Sequence, residues 1–585
     1  MVKVSDYVFR FLEKKNVKHA FMLPGGGAMH LVDSIGKSEI EYICFQHEQG
    51  ASIAAEAYGQ HTNRPALLLT TSGPGATNAI TGVTAGWIDS TPMFVISGQS
   101  KRADLVGNKK VRQIGSQEVQ IVPMVEPITK YAVQIMDPKE IRYHLERAYY
   151  EATMGRPGPV WLSIPLDVQG SMVEESELIG FEAIENEKKE IVKEIHQTVE
   201  LLRNAKKPLV IAGNGIKLAD GIRELYQFLE AEKIPVITTW KTIDMFDENY
   251  PLYVGHPGIM GDRGANKILQ EADLLISIGS RLDTSITAFN DKKFAKNAKK
   301  VIVDIDINEI NRMEMSKDVI VECDAKHFIV KLIEQLQNAH VSSCYSSERD
   351  EWCTYCKKLR EKYPTVTAAH KNTGNYVSAY YFVDELCRLL DENDVIVPES
   401  SGGAGEITYQ AFKLKYGQKM KNAAGLGSMG FGLPYAIGSC IANDKKRTIL
   451  INGDGAFQLN IQELETLHRL NLPVKIFIWD NNGYASIRAM QNGNFAGHFV
   501  ASSETSGLTF PDTAAIAGAY GLKTYKLNNN TEMIEKLPDI LNETGMSLCI
   551  LSTSPEETVW PRVKARILPD GGMVSGDLED MWPYE

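Results

Sequence analysis

Cysteine is scarce in this sequence, with eight in 585 residues. So few thiols, scattered over so long a chain, do not form a disulfide framework and are typical of a reducing compartment, so we expect a cytoplasmic protein. Cys353 and Cys356 stand in a CxxC pair within the polar stretch SSERDEWCTYCKKLREKY. Because no second pair and no redox-type strand accompany them, we interpret both as solvated helix residues and not as a zinc or redox site.

Long apolar runs and an excess of positive charge are also missing. No stretch reaches the roughly 18 apolar residues that a membrane-spanning helix needs, and the opening MVKVSDYVFRFLEKKNV is typical of an amphipathic helix and not of a signal peptide. Asp and Glu outnumber Lys and Arg by 74 to 62, which gives a net charge of −12. Because binding to a nucleic-acid backbone needs a basic face, we expect neither nucleic acid nor membrane among the partners.

The chain is too long for a single hydrophobic core. Short apolar runs that end in Gly or polar turns, such as PALLLTTSG, PLVIAGNG and RTILINGDG, alternate with helical patterns. This alternation predicts an α/β fold of three doubly wound domains with mainly parallel sheets. The predicted parts are residues 1–172, 190–340 and 375–555 and a tail at 556–585. The tail should be ordered and packed, because Met573, Met581 and Trp582 would be costly to leave exposed.

The stretch INGDGAFQLNIQELETLHRLNLPVKIFIWDNNGY predicts a strand, a turn, a helix, a second strand and a polar loop. Asp454 ends the first strand, and Asn481 follows 27 positions later at the end of the next parallel strand (481 − 454). A strand–helix–strand crossover brings two such strand ends together, where a carboxylate and an amide oxygen suit Mg²⁺. A backbone carbonyl near Gly483 is a candidate third ligand. The turn glycines and the helix start near Ala456 favour an anion beside the metal.

A GDG turn followed at this distance by NN resembles the thiamine-diphosphate (ThDP) motif of the pyruvate decarboxylase and acetolactate synthase superfamily. The resemblance implies that Asp454, Asn481 and the Gly483 carbonyl bind the metal. It also implies that the three predicted domains are, in order, a pyrimidine-binding domain, a middle domain and a diphosphate-binding domain. The residues that it places beside the diphosphate in this turn are Gly453, Gly455 and Ala456.

The segment FQHEQGASIAAEAYG places Glu48 in the first turn of a helix with a small-residue face. Taken alone, such a Glu most often complements the helix dipole. In the superfamily, however, the Glu of this motif binds N1′ of the aminopyrimidine ring and promotes proton removal from C2, so Glu48 is the main catalytic candidate. His47 is either a substrate contact or an ordinary strand-end His. Gln117, in RQIGSQE, matches a pocket Gln of acetolactate synthases.

The segment AAGLGSMGFGLPYAIG contains GxGxxG, but KMKN precedes it where a dinucleotide fingerprint needs an apolar strand. The superfamily pattern GxMGxxLP matches it better. By that resemblance the Gly427 carbonyl accepts from the 4′-amino group, and Met429 wedges beneath the cofactor and bends it. Simple core filling is the alternative for Met429.

Two further Gly-rich loops are candidate cofactor contacts. PESSGGAGE follows the strand DVIV, and its small residues let backbone N–H groups approach an anion, so we assign Ser401, Gly402 and Gly403 to the diphosphate. LPGGGA, with Pro24 and Gly25, lines the thiazolium side of the pocket in relatives across a subunit boundary. A loop that only turns the chain is the alternative for LPGGGA.

The resemblance to acetolactate synthase catalytic subunits covers nearly the whole chain. It implies a homodimer or tetramer with active sites shared between chains, and a reaction that decarboxylates pyruvate and transfers the two-carbon unit to a carbonyl acceptor. Two departures are Met490, where acetolactate synthases have the Trp of RQWQ, and Ser116, where they have Phe. The segment GNFAGHFVASSETSGLTFPD and the tail PDGGMVSGDLEDMWPYE resemble the acetolactate-synthase-like carboligases of surface-sugar gene clusters. An acceptor side opened by the two departures would fit a bulky substrate, so we favour a nucleotide-linked keto sugar as acceptor.

Several alternatives stay open. They are an ordinary acetolactate synthase that joins two pyruvates, a pyruvate oxidase or decarboxylase, and a catalytically silent scaffold paralogue. FAD is a separate expectation, because acetolactate synthases bind it in the middle domain. The candidate FAD contacts here are Gly213, Gly215, Arg281 and Asp304, each of which also has a plain interpretation as a strand-end turn.

Overall fold

A computed structural model describes residues 1–183, 189–338 and 346–584 of the chain. Three sheets of five or six strands form the framework, and every strand pair within these three sheets is parallel. The α/β fold with three parallel-sheet domains is therefore confirmed. The predicted end of the second domain at residue 340 lies outside the described residues. No helix in the described ranges combines the length and apolarity that crossing a membrane requires.

The N-terminal sheet has six strands in the order β3-β2-β4-β5-β7-β6, and its central strands are buried. A two-stranded antiparallel pair, β1 with β8, lies beside it. The strands are β1 (Val2–Lys3), β2 (His19–Met22), β3 (Glu41–Cys44), β4 (Ala66–Thr70), β5 (Met93–Gln99), β6 (Tyr131–Gln134), β7 (Pro159–Pro165) and β8 (Met172–Val173). The α-helices are α1 (Val4–Lys14), α2 (Met29–Ile35), α3 (Glu48–Thr62), α4 (Pro74–Asn78), α5 (Ile80–Asp89), α6 (Ile121–Val125), α7 (Ile141–Thr153) and α8 (Leu166–Gly170).

The middle sheet has five strands in the order β10-β9-β11-β12-β13. The strands are β9 (Pro208–Ala212), β10 (Val236–Thr238), β11 (Leu274–Ile278), β12 (Lys299–Asp304) and β13 (Val319–Glu322). The α-helices are α9 (Val192–Asn204), α10 (Asn214–Leu218), α11 (Ile222–Glu232), α12 (Arg263–Glu271), α13 (Ile307–Asn311), α14 (Ala325–Asn338) and α15 (Ser346–Lys362). The last helix corrects one expectation: Cys356 and Trp352 are buried against this domain, so the CxxC pair does not lie on a fully solvated helix.

The C-terminal sheet has six strands in the order β15-β14-β16-β17-β19-β18. The strands are β14 (Val395–Pro398), β15 (Lys419–Met420), β16 (Thr448–Gly453), β17 (Val474–Asp480), β18 (Lys523–Leu527) and β19 (Ser547–Ser552). The α-helices are α16 (Ala379–Leu389), α17 (Gly402–Ala411), α18 (Gly432–Ala442), α19 (Asp454–Phe457), α20 (Glu463–Leu470), α21 (Ala485–Phe495), α22 (Thr513–Ala519) and α23 (Asn530–Asn542). Because β16 and β17 are parallel neighbours, their carboxyl ends lie side by side.

The N-terminal and C-terminal domains meet where α3 crosses α18. The small residues of α3, including Ala54, permit a very close approach: a Cβ added at Gly438 would lie 2.2 Å from the Ala54 carbonyl oxygen. A buried carboxylate, Glu463 at the start of α20, crosses the same boundary and accepts the backbone N–H groups of Gln46 (3.2 Å) and His47 (3.1 Å). The C-terminal domain therefore holds the start of α3 in place.

The tail forms two small antiparallel pairs that pack on the middle and C-terminal domains. They are built from β20 (Arg562–Val563), β21 (Ala565–Ile567), β22 (Met573–Ser575) and β23 (Met581–Trp582). Met581 is fully buried and Trp582 is partly covered, as expected. Met573 is 68% exposed, so the expectation that it is packed away within the chain is wrong. Burial in the tail follows from which residues pack against the middle domain, as Met581 does, and not from the hydrophobicity of each residue.

Candidate active site

Asp454, which follows β16, is hydrogen-bonded to the loop that follows β17 in the predicted metal site. It is 4% exposed, and its Oδ2 accepts the backbone N–H groups of Asn481 and Gly483, both at 3.1 Å. Its Oδ1 accepts the N–H of Gly455 at 2.7 Å. Burial raises the pKa of Asp454 to about 6, because the charged carboxylate is poorly solvated there. A cation beside this carboxylate would restore the charged form.

The donor set suits a hard cation that also binds ligand oxygens. Among the described residues, no three His, Cys, Asp or Glu side chains gather into a metal site. A metal here would therefore rely on Asp454, on amide and carbonyl oxygens of the 481–483 loop, and on oxygens of a bound phosphate or water. Mg²⁺ accepts this arrangement, whereas Zn²⁺ prefers nitrogen and sulfur ligands.

Gly483 is held in a conformation that other residues rarely adopt. Its φ is +144°, and a Cβ at this position would lie 2.3 Å from Nη1 of Arg488 and 2.4 Å from the carbonyl oxygen of Ser502. Only glycine therefore lets the loop turn back tightly behind Asn481.

Arg488 is a residue of this site that the sequence analysis did not single out. It lies on α21, is 9% exposed, and its Nη2 donates to Oδ1 and the carbonyl oxygen of Asn481 at 3.1 and 2.9 Å. Its Nη1 donates to the carbonyl oxygens of Asn482 (3.0 Å) and Ser502 (3.2 Å). The guanidinium thus fixes the loop that carries the predicted metal ligands. A local signal existed, since an Arg in the helix directly after a ligand loop is within reach of that loop.

The metal loop opens into a cavity of about 810 Å³. The cavity runs along the carboxyl ends of the C-terminal sheet, from the metal loop to the tail. Its lining includes all eleven C-terminal residues predicted for the metal and the cofactor: Ser401, Gly402, Gly403, Gly427, Met429, Gly453, Asp454, Gly455, Ala456, Asn481 and Gly483. The structure therefore brings these residues to one site, as the motifs implied.

The cavity wall contains a cradle for an anion at the start of the ten-residue helix α17. Gly402 has a φ of +72°, and a Cβ at Gly402 or Gly403 would meet no atom closer than 3.5 Å. A Cβ at Gly453 would meet nothing within 4 Å. Open space on this side, together with the exposed N–H groups of a helix start, fits a diphosphate. Met429 is 39% exposed at the same cavity, which does not match its interpretation as core filling.

The predicted N-terminal site residues form a separate cluster. Glu48 is 6% exposed, and its Oε2 accepts from Nδ2 of Asn78 at 3.0 Å. The backbone near Gly75 approaches its Oε1 closely, since a Cβ at Gly75 would lie 3.3 Å away. Gln117 packs on the same loop, because a Cβ at Gly73 would lie 2.4 Å from the Gln117 carbonyl oxygen.

Other N-terminal candidates belong to this cluster or cap its helix. Gly25 and its neighbour Pro24 lie against Thr71, whose side chain would be 2.5 Å from a Cβ at Gly25. His47 caps α3, because its Nδ1 accepts the N–H of Gln49 at 3.1 Å, which supports the plainer interpretation of that residue. None of the predicted N-terminal residues is among those lining the 810 Å³ cavity in the described part of the chain. Within a single chain, Glu48 therefore does not line the cavity that contains the metal loop.

The candidate FAD contacts lie together at the carboxyl end of the middle sheet. Gly215, Arg281 and Asp304 line a cavity of about 220 Å³, and a Cβ at Gly213 would lie 2.1 Å from the Gly279 carbonyl oxygen. The two glycines are therefore also required for close packing of neighbouring turns. Nη1 of Arg281 donates to the Ile88 carbonyl oxygen at 3.1 Å. The volume is below the roughly 300 Å³ at which ligand pockets usually begin, so this cavity would enclose only part of a dinucleotide.

Comparison with known proteins gives one family match for each of the three domains. Family models match residues 2–124 as the N-terminal TPP-binding domain, 195–332 as the central domain and 401–551 as the C-terminal TPP-binding domain of thiamine pyrophosphate enzymes. The protein is thus a three-domain enzyme of the thiamine pyrophosphate (ThDP) class.

Curated relatives narrow the class to one family. The chain is 30% identical to the acetolactate synthase isozyme 2 large subunit of Escherichia coli K12 over 577 residues, which cover 99% of each chain. It is 31% identical to the acetolactate synthase large subunit of Cyanidium caldarium, over 94% of this chain and 93% of the relative. A probable acetolactate synthase large subunit of Methanococcus aeolicus is also 31% identical, over 92% of this chain and 90% of the relative. The chain therefore belongs to the ThDP-dependent acetolactate synthase-like family, as its motifs indicated.

Proposed function

We propose that this protein forms 2-acetolactate from two molecules of pyruvate, releasing one CO₂ and consuming one proton. The observation that carries the proposal is the cavity in which Asp454, the 481–483 loop and the start of α17 converge. Full-length similarity to acetolactate synthase large subunits supports the same reaction.

ThDP, when bound, supplies the electron sink that a 2-oxo acid needs in order to lose CO₂. We propose that Mg²⁺ is held by Asp454, Asn481 and the Gly483 carbonyl, and that the N–H groups at Ser401, Gly402 and Gly403 bind the diphosphate. Gly453, Gly455 and Ala456 complete this wall, while Gly427 and Met429 orient the cofactor's pyrimidine ring.

Glu48 is the proposed proton-handling residue at N1′ of the pyrimidine ring. Asn78 engages only its Oε2, and Oε1 accepts no hydrogen bond within the described part of the chain, so that oxygen is available to a ligand. Burial at 6% exposure excludes most of the water that would compete for the proton. Gln117 and His47 are the neighbouring candidates for substrate contacts.

We propose that a second copy of the chain supplies Glu48 to each metal cavity. The support is that Glu48 belongs to a cluster that does not line the cavity of its own chain. Coexpression of Glu48→Gln with Asp454→Ala tests this, because a hybrid dimer would then contain one intact site. Activity in the mixture, with none in either variant alone, is expected. Activity that stays absent in purified hybrids would contradict shared sites.

Product analysis identifies the acceptor substrate. Purified protein is incubated with ThDP, Mg²⁺ and pyruvate, alone and with a CDP- or dTDP-linked 4-keto sugar, and the products are identified by mass spectrometry. We expect acetolactate and CO₂ in equal amounts without any sugar. The nucleotide-linked keto sugar, favoured on the sequence departures, is the weaker proposal because the relatives are acetolactate synthases. If pyruvate is consumed only when the sugar is present, the keto sugar becomes the better supported acceptor.

The remaining alternatives give other products in the same experiment. Acetaldehyde would indicate a decarboxylase, and peroxide or acetyl phosphate would indicate a pyruvate oxidase. FAD stays a proposal for the middle-domain cavity, supported by the convergence of Gly215, Arg281 and Asp304. Flavin absorbance that copurifies with the protein, and disappears in a Gly215→Val variant, would support it. A colourless protein that does not take up added FAD would exclude it.

A further inference from the structure

We propose that Arg562, with Lys564 beside it, binds the carboxylate of the acceptor 2-oxo acid. The proposal rests on the proposed acetolactate reaction and names a specificity-determining site for it. Both residues belong to the tail, Arg562 in β20 and Lys564 directly after it, and both line the 810 Å³ cavity that contains the metal loop.

The first argument is that neither cation has an anionic partner within the chain. In the described ranges Arg562 forms no ion pair and no side-chain hydrogen bond, and its Nε is enclosed without a partner. Lys564 forms no ion pair there either, and its Nζ lies 3.8 Å from the centre of the Trp582 ring. Burial and the neighbouring Arg562 lower the pKa of Lys564. A buried donor of a cation without a partner is costly, so a ligand anion would stabilise Arg562, and Lys564 beside it would add a second positive charge.

The carboxylates of the cavity do not serve as those partners. Glu557 is occupied by the backbone N–H of Ala379, at 3.1 and 3.2 Å. Glu406 senses the Arg562 charge, but burial raises its pKa and no ion pair joins the two in the described residues. Asp454 is committed to the metal loop. Arg562 and Lys564 are also the only Lys or Arg residues among the described residues that line this cavity.

The second argument is position. Glu406, whose carboxyl group is electrostatically coupled to Arg562, follows Gly402 by four residues on α17. Glu406 and Arg562 both line the cavity, so the cation lies near the part of α17 that follows the diphosphate cradle. The cradle already has its own means of binding an anion, namely the start of α17 and the metal loop. An additional cation further along the cavity is therefore available to the substrate.

The third argument is chemical and selects the acceptor over the donor. The donor pyruvate loses its carboxylate as CO₂, so an ion pair to that group would stabilise the ground state and slow the reaction. The acceptor keeps its carboxylate through to acetolactate. A permanent cation can bind that group in substrate, transition state and product alike, and so favours a 2-oxo acid over a neutral carbonyl compound.

The test measures competition between two acceptors in one reaction. Pyruvate is the donor, and acetaldehyde is added as a neutral acceptor, so the ratio of acetolactate to acetoin reports acceptor choice independently of the donor step and of cofactor loading. Arg562→Gln should shift this ratio towards acetoin by roughly 10- to 100-fold, as expected for loss of a charge-assisted hydrogen bond. Arg562→Lys should recover part of the shift, and Lys564→Gln should give a smaller one.

Arg566→Gln is the matched control, because Arg566 is exposed in the same tail and does not line the cavity. Its ratio should equal that of the wild type. ThDP affinity should be unchanged in every variant. An unchanged ratio in Arg562→Gln overturns the proposal, as does a loss of ThDP affinity that accounts for the whole effect, since Arg562 would then bind the cofactor's diphosphate. A wild-type protein that forms no acetolactate would instead refute the proposed function, and this inference with it.

Discussion

Replacement of Arg488 by Met should weaken cofactor binding, although Arg488 is not itself a predicted cofactor contact. The guanidinium donates to four carbonyl oxygens, those of Asn481, Asn482, Ser502 and Pro555, and to Oδ1 of Asn481, at 2.9–3.3 Å. Met has a similar length and no donor. The substitution therefore leaves the fold of α21 intact and removes what fixes the 481–483 loop.

The size of the effect follows from the number of bonds lost. If two or three of the five acceptors stay without a partner after water has entered, the ordered loop loses about 2–3 kcal/mol at roughly 1 kcal/mol each. Electrostatics acts in the same direction, because a diphosphate carries more negative charge than one divalent metal neutralises, and Arg488 attracts the net anionic complex. Residues that orient metal ligands typically change metal affinity by about 10- to 100-fold. We expect a weakening of that order in the Kd for ThDP at fixed Mg²⁺.

The assay is a titration of the metal-free protein with ThDP at several Mg²⁺ concentrations, followed by calorimetry and by tryptophan fluorescence. Trp479 lines the cavity and should report occupancy. Arg488→Lys should be intermediate, because one ammonium cannot bridge the same acceptors. Arg388→Met is the control, since Arg388 is an exposed residue paired with Glu385 on α16. A wild-type Kd for ThDP in Arg488→Met, at every Mg²⁺ concentration, would refute the reasoning.

Three further predictions concern other parts of the molecule. Glu48→Gln should lower turnover by about 10²- to 10⁴-fold with little change in thermal unfolding; near-normal turnover would remove Glu48 from the mechanism. Gly438→Ala should lower the Tm, because its Cβ would meet the Ala54 carbonyl at 2.2 Å, whereas Gly518→Ala, in open space, should not. Burial raises the pKa of Glu399 from 4.5 to about 7, so its stabilising contribution is complete below about pH 4.5 and is lost as the pH rises through 7. The Tm of the wild type should therefore fall relative to Glu399→Gln over that window, and parallel pH curves would contradict it.

The parallel sheets could be predicted because their strands are buried on both faces. PALLLTT and PMFVISG read as continuous apolar runs, and they became β4 and β5, which are completely buried. The tail offered no such pattern. Met573 and Met581 are the same residue type in the same segment, yet one is 68% exposed and the other fully buried. Both lie in paired strands; the difference is that Met581 packs into the core cluster of the middle domain.

Sequence distance explains which site residues could be predicted from the sequence and which only the structure shows. Asp454 and Asn481 are joined by one crossover, so their meeting follows from the topology of neighbouring parallel strands. Five of the six strands of the C-terminal sheet lie between Glu406 and Arg562 in sequence, and no local pattern brings these two residues to one cavity. Motifs predict which residues bind the cofactor, whereas the proposed acceptor site depends on how the tail packs.

The crossover between the predicted metal ligands Asp454 and Asn481 also contacts the N-terminal cluster that contains Glu48. Glu463 begins α20, which lies between Asp454 and Asn481 in sequence, and its buried carboxylate accepts the N–H groups of Gln46 and His47. Those residues immediately precede Glu48. A displacement of α20 by ligand binding at the metal loop would lengthen these bonds and leave a buried carboxylate unsatisfied, which costs more than an exposed bond. The position of Glu48 is therefore tied to the metal loop of its own chain, although its proton chemistry is proposed for the cavity of another copy.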